Sequence, residues 1–163
     1  MKMAERSSTV DQNELRVNSA LVIIGLVTAF IIKRWELVAF QAVALFLTTL
    51  HPSLGPYVAV YRHILRPAGI VKPDLRGDNP EPHRFATMFG TIVATTAAYL
   101  LATGRNGAGW GLVWLLISLA TAGFFGWCAG CFVYYVMNRL GLRRLFKHAP
   151  VVGTFPGVRP PKA

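Results

Sequence analysis

Charge is scarce in this chain, and acidic charge most of all. Asp and Glu together number 7 against 17 Lys and Arg, and charged residues make up 15% of the 163 positions. A soluble domain carries nearer about a quarter. The shortfall is concentrated: residues 17–32, 37–50, 85–102 and 108–137 hold almost no charge. An apolar run of about 20 residues is what a helix needs to cross about 30 Å of hydrocarbon. The composition therefore argues against an ordinary soluble domain and for a protein whose main partner is the lipid bilayer. A net charge of +10 raises the question of nucleic acid. The basic residues, however, fall in the connectors and leave the apolar runs clear, which is how membrane borders are marked. No nucleic-acid partner is expected.

Other absences narrow the chemistry. There is no Ser-His-Asp arrangement, no phosphate-binding glycine loop and no pair of carboxylates inside an apolar run. Glu36 lies at a turn, so a proton path has no acidic chain. Cysteine occurs only twice, at Cys128 and Cys131. Covalent haem attachment requires Cys-x-x-Cys-His, and Phe132 follows Cys131. A metal site needs about four ligands. One chain has no second cysteine pair, so a metal would need a dimer or help from His51 and His83. No metal and no cofactor are therefore expected. The first apolar run lacks the marks of a cleaved signal: Glu5, Asp11 and Glu14 offset the basic residues before it, and no small-residue cleavage site follows.

What is present reads as an all-α integral membrane bundle of about four transmembrane helices. The first is expected over 14–32, the second, short one over 37–50, the third over 83–103 and the fourth over 109–139. Lys33 to Glu36 is a tight turn, with Trp35 at interfacial depth. Leu54, Tyr57, Val58, Tyr61 and Leu65 recur at helical spacing and predict a short amphipathic helix in the membrane interface. Residues 68–82 form a connector rich in proline and charge. Residues 1–13 are expected to be a flexible N-terminus, 14–146 a single membrane domain, and 147–163, with four prolines, an extended tail. With four spans, 14 of the 17 basic residues fall on the side that holds both termini. The positive-inside rule then makes the N- and C-termini cytoplasmic.

Helices in lipid associate through close contact at small residues. Ala86, Gly90, Ala94, Ala98 and Ala102 lie four apart on the third helix. Ser118, Ala122, Gly126 and Gly130 do so on the fourth. The two ridges are expected to face each other.

Cys128 and Cys131 share a helix face by spacing. Two thiols so placed can close a disulfide, pass electrons or pass a sulfur atom. They can equally be two small packing residues. On a continuous helix centred near Gly123, a rise of 1.5 Å per residue sets Cys128 roughly 7 Å and Cys131 roughly 12 Å toward the cytoplasm. Both then lie in the inner leaflet, with Cys131 the shallower and the first to react and Cys128 resolving. By the same rotation, the thiols point away from the seam between the third and fourth helices. One objection stands: a thiolate late in a helix meets the negative end of the dipole. Gly126 and Gly130 would allow a break that puts Cys128 at a new helix start. His51 and His83, at cytoplasmic helix ends, can serve as bases or simply as interfacial residues.

The chain resembles a group of small bacterial membrane proteins classed as a domain of unknown function. The resemblance rests on Val10-Asp11-Gln12-Asn13 with Arg16, Pro56-Tyr57 with Arg66-Pro67, Pro82-His83-Arg84-Phe85-Ala86 with Gly90, and Phe125-Gly126-Trp127-Cys128-Ala129-Gly130-Cys131. It covers roughly residues 10 to 140. It implies four membrane helices in the bacterial inner membrane. Such proteins are often encoded near thioredoxin-like proteins and sulfurtransferases, which implies thiol or sulfur metabolism. It singles out Cys128 and Cys131, and more weakly Asn13, Arg66 and Arg84. The expected function is that of a membrane dithiol exchanging electrons or sulfur with a cytoplasmic thioredoxin-like or sulfurtransferase partner. The alternative is a non-catalytic accessory subunit beside a larger membrane complex.

Overall fold

A computed structural model describes residues 9–78, 80–139 and 158. The chain opens with a three-residue strand, β1 (Thr9–Asp11), followed by α1 (Gln12–Ile32) and α2 (Trp35–Leu50). A 3-10 turn at Pro52–Leu54 leads into α3 (Pro56–Val60), which widens into a π-helical turn at Tyr61–Leu65. Then come β2 (Leu75–Gly77), α4 (Pro80–Ala102), α5 (Asn106–Phe125) and α6 (Ala129–Arg139). Helices α1, α4 and α5, of 21, 23 and 20 residues, are long and apolar enough to cross a membrane. Helix α2 is apolar but shorter.

The core lies among α1, α2, α4 and α5, where Leu26, Val38, Ala94 and Val113 are all but sealed from outside. The opposite faces carry large apolar side chains in the open, including Ile31, Phe40, Phe46, Ile92 and Trp114. A water-facing helix would place polar residues there; a helix in lipid would not. The turn between α1 and α2 is closed by Lys33 in the left-handed region (φ 56°), and its ammonium sits 3.5 Å above the Phe30 ring.

Several boundaries differ from the sequence expectation. Helix α1 starts at Gln12, and Thr9–Asp11 are not loose: they pair antiparallel with Leu75–Gly77. Asp11 explains why. Its carboxylate caps α1 by accepting from the Asn13 N–H and also accepts from the Asp74 N–H and the Tyr61 hydroxyl. One side chain thus ties the 68–82 connector and α3 to the start of α1. The predicted amphipathic helix is split into three short turns. Tyr57, Val58 and Tyr61 are buried against the bundle, whereas Leu54 is exposed, because Tyr57 donates to the buried Gln41 and Tyr61 to Asp11. Residues 1–8 and, apart from Val158, the 147–163 tail lie outside the described residues.

The predicted fourth helix is two helices. Gly126 takes a left-handed conformation (φ 100°). Its N–H bonds the Gly123 carbonyl while the Trp127 N–H bonds the Ala122 carbonyl. This is a Schellman stop, which glycine supplies without a Cβ penalty. Two consequences overturn expectations. The small-residue row of α4 is buried as predicted at Gly90, Ala94 and Ala98, but Gly90 faces Leu45 of α2 and Leu116 of α5. Ser118 is exposed, so the upper part of the α5 row does not meet it. Gly130, now on α6, closes on Ala86. The thiols also turn toward α4 rather than away from it, because a rotation counted along one helix does not carry through a left-handed residue.

Candidate thiol site

The break at Gly126 prepares the site. Trp127 is extended and bridges to Val158. Cys128 then starts α6: its carbonyl accepts the first helical bond, from the Phe132 N–H at 3.0 Å, and its sulfur accepts from the Cys131 N–H at 3.2 Å. That is the geometry of an N-cap, with sulfur in the place usually held by a hydroxyl or carboxylate oxygen. Cys128 and Cys131 are joined as a disulfide. The positive end of a helix dipole favours a thiolate over a thiol, so the objection raised by a continuous helix falls away. The sulfur expected to react first, Cys131, is the less exposed of the two. Cys131 is 9% exposed and buried, whereas Cys128 is half-buried.

Cys131 faces a histidine. His83, on the first turn of α4, has Nδ1 3.6 Å from the Cys131 sulfur. Its Nε2–H donates to the Asp78 carboxylate at 2.9 Å, and the Gln12 amide donates to the same oxygen at 3.1 Å. With Nε2 carrying the proton toward Asp78, the neutral ring presents the Nδ1 lone pair to Cys131. Once the disulfide is reduced, the Cys131 thiol has an acceptor in place. Next to it, Tyr134 donates to Glu81 and stacks edge-on against Phe85, which fixes α6 to the start of α4. The packing that permits this is the close approach of Gly130 to Ala86, where a Cβ would collide.

Two cavities reach the site. One of about 130 Å³ is walled by Cys128, Gly130, Ala86 and Asn18. A larger one of about 540 Å³ is lined by His83, Arg84, Arg62, Arg66 and Glu14. Asn18 and Thr87 line both.

Sequence reasoning placed Cys128 and Cys131 together correctly and named His83 as one of two possible bases. His51 is not at the site; it bonds Ser53 in the 3-10 turn. Asn13, singled out by resemblance, donates to the Lys72 carbonyl. Arg66 and Arg84 line the larger cavity, and Arg84 also reaches the Thr49 carbonyl. Asp78 and Gln12 were missed. Gln12 falls in the Val10–Asn13 stretch that carries the resemblance, whereas Asp78 lies in the 68–82 connector, where no motif marks it.

Residues 10–139 match the domain of unknown function DUF4395. The chain belongs to that family. The match takes in every element from α1 to α6, and so the whole Asp78–His83–Cys131–Cys128 arrangement lies within the DUF4395 region. No curated protein and no solved structure matches the chain.

Proposed function

We propose that this DUF4395 protein is a four-span membrane dithiol whose Cys128–Cys131 pair exchanges electrons or sulfur with a thioredoxin-like or sulfurtransferase protein in the cytoplasm. The observation that carries the reading is Cys128 at the N-cap of α6, with the Cys131 N–H on its sulfur. A packing pair has no need of a helix stop, a capping sulfur and a carboxylate-held histidine. Helix α2 makes the fourth span. The charge asymmetry puts the start of α1, the start of α4 and the end of α6, and so the thiols, on the cytoplasmic side of a bacterial inner membrane.

The exchange runs through Cys128, the more exposed sulfur. A partner thiolate attacks Cys128 Sγ. The Cys128–Cys131 bond breaks, and Cys131 leaves as a thiolate that takes the Nδ1 proton of His83, which enters this step as the imidazolium with Nε2–H still on Asp78 and leaves it as the neutral ring. The partner's second thiolate then attacks its own first sulfur and releases Cys128. The partner becomes a disulfide and this protein a dithiol, with two electrons transferred. In the sulfur version, the reduced Cys128 takes the outer sulfur of a partner persulfide. Cys131 then attacks Cys128, expelling hydrosulfide and closing the disulfide.

The test is a trap. Cys131→Ser should accumulate a mixed disulfide between Cys128 and the partner, and Cys128→Ser should not. Full function in the double Ser variant would reject the dithiol and favour an accessory subunit.

A further inference from the structure

We infer that the reduced site binds one zinc ion through Cys128, Cys131 and His83. The three donor atoms lie within 4.8 Å of one another. Zinc sits tetrahedrally with bonds of about 2.3 Å to sulfur and about 2.0 Å to nitrogen, so the sulfur–nitrogen edge of such a site is about 3.6 Å long. The observed separation of Cys131 Sγ from His83 Nδ1 is 3.6 Å. The sulfur–sulfur edge is about 3.8 Å by the same geometry, a distance that opens when the disulfide is reduced and one thiol rotates.

The histidine is prepared as a ligand. Metal-bound imidazoles give their other ring N–H to a carboxylate, which fixes tautomer and orientation. His83 does this with Asp78, and Gln12 holds Asp78 in turn. The Cys131 N–H on the Cys128 sulfur stabilises the thiolate that a metal requires. Three protein ligands leave the fourth position for water or an incoming thiol, the pattern of reactive rather than structural zinc.

Charge selects the ion. Two thiolates, a neutral imidazole and Zn²⁺ sum to zero. Monovalent copper in the same donors would leave a net negative charge beside the Asp78 carboxylate at an apolar border, which is costly. Zinc also couples to redox state. Binding releases the two thiol protons and holds the pair reduced. A partner disulfide that accepts two electrons from the dithiolate closes Cys128–Cys131 and releases Zn²⁺. This deepens the thiol-exchange reading, because it sets when the pair can be oxidised, but it is measured separately.

The experiment uses the full chain in detergent, reduced with a phosphine in metal-free buffer. Zn²⁺ alone is the probe, in competition with a chromophoric chelator. Reduced protein should hold one zinc per chain and oxidised protein none. Co²⁺ in its place should show tetrahedral bands with thiolate charge transfer. Asp78→Asn should weaken zinc by about 10–100-fold, and His83→Ala by at least as much, while His63→Ala should change nothing. His83→Cys should restore binding with stronger charge transfer, which guards against His83→Ala merely failing to fold. No zinc on the reduced wild type would overturn the proposal. So would one zinc per two chains, insensitive to His83, which marks a site of four cysteines between copies. Thiol exchange measured in metal-free buffer would survive either result if the dithiol reading stands.

Discussion

Gly130 on α6 and Ala86 on α4 meet with no room for a side chain between them: a Cβ on Gly130 would stand 2.6 Å from the Ala86 Cα. This contact is what brings Cys131 to His83, since each residue is within one helical turn of it. Gly130→Val should therefore act on the site as well as on the fold. Overpacking of this kind costs about 1–3 kcal/mol. The variant should melt earlier in detergent, and its disulfide should lose the histidine's influence and react at a rate close to that of His83→Ala. Wild-type melting together with wild-type reactivity would show that α6 does not depend on this contact.

Gly126→Ala tests the helix stop. The left-handed conformation at Gly126 costs a residue with a Cβ about 1–2 kcal/mol. The chain can relieve that cost by running α5 on into α6, which turns Cys128 from a cap into a mid-helix residue. The expected outcome is lower thermal stability and slower alkylation of the reduced protein at neutral pH, because the thiolate has lost its helix end. Unchanged alkylation would mean that the cap contributes nothing to reactivity.

The apolar runs were legible because a bilayer demands length and hydrophobicity of each span, and both can be counted along the chain. The stop at Gly126 was visible as an option, since glycine marks positions where a helix can end. The new helix start at Cys128 was legible with it, but the direction of the thiols and which of them is the more exposed were not. Both depend on a backbone reversal that periodicity does not encode. Asp78 and Gln12 were hidden for another reason. They meet across 66 positions of sequence, through the β1–β2 pairing of two stretches that look like loop.

Alkaline pH should loosen the connection between α6 and α4. Burial, reinforced by the Glu81 carboxylate, pushes the Tyr134 hydroxyl up to about 12 from 10.0. A folded value above the unfolded one means stability that is fully present below about pH 10 and is lost as pH rises through about 12. Tyr61 works in the same direction, raised by burial and by its bond to Asp11. Melting temperature should therefore fall steeply over that window. Tyr134→Phe, with no proton to lose, should fall less steeply. Tyr61→Phe should already cost about 2 kcal/mol at neutral pH, because a hydrogen bond to a charged group is removed. Identical alkaline slopes in wild type and both variants would show that neither hydroxyl is coupled to folding.

The last prediction separates a working histidine from a neighbouring one. In the proposed exchange, Cys131 leaves as a thiolate in a poorly hydrated place, and His83 supplies the proton that lets it go. General acid–base assistance of this kind is worth about 10²–10⁴-fold in rate. His83→Ala should slow reduction of the Cys128–Cys131 disulfide by a soluble dithiol by a factor in that range. His83→Gln keeps a polar side chain of similar reach but cannot carry the proton, so it should be as slow. Asp78 holds the ring through Nε2 and so positions it. Asp78→Asn should therefore slow the reaction less, and adding it to His83→Ala should cost nothing more, since residues acting through one another are not additive. A merely structural histidine predicts a different pattern. His83→Gln would then recover much of the rate lost in His83→Ala, and Asp78→Asn would add its own loss in the double variant. The measurement is stopped-flow reduction in detergent under metal-free conditions, followed by Trp127 fluorescence, since the indole is the immediate neighbour of Cys128. A rate within threefold of wild type for both His83 variants would remove His83 from the reaction and leave the helix end as the only aid to the thiols.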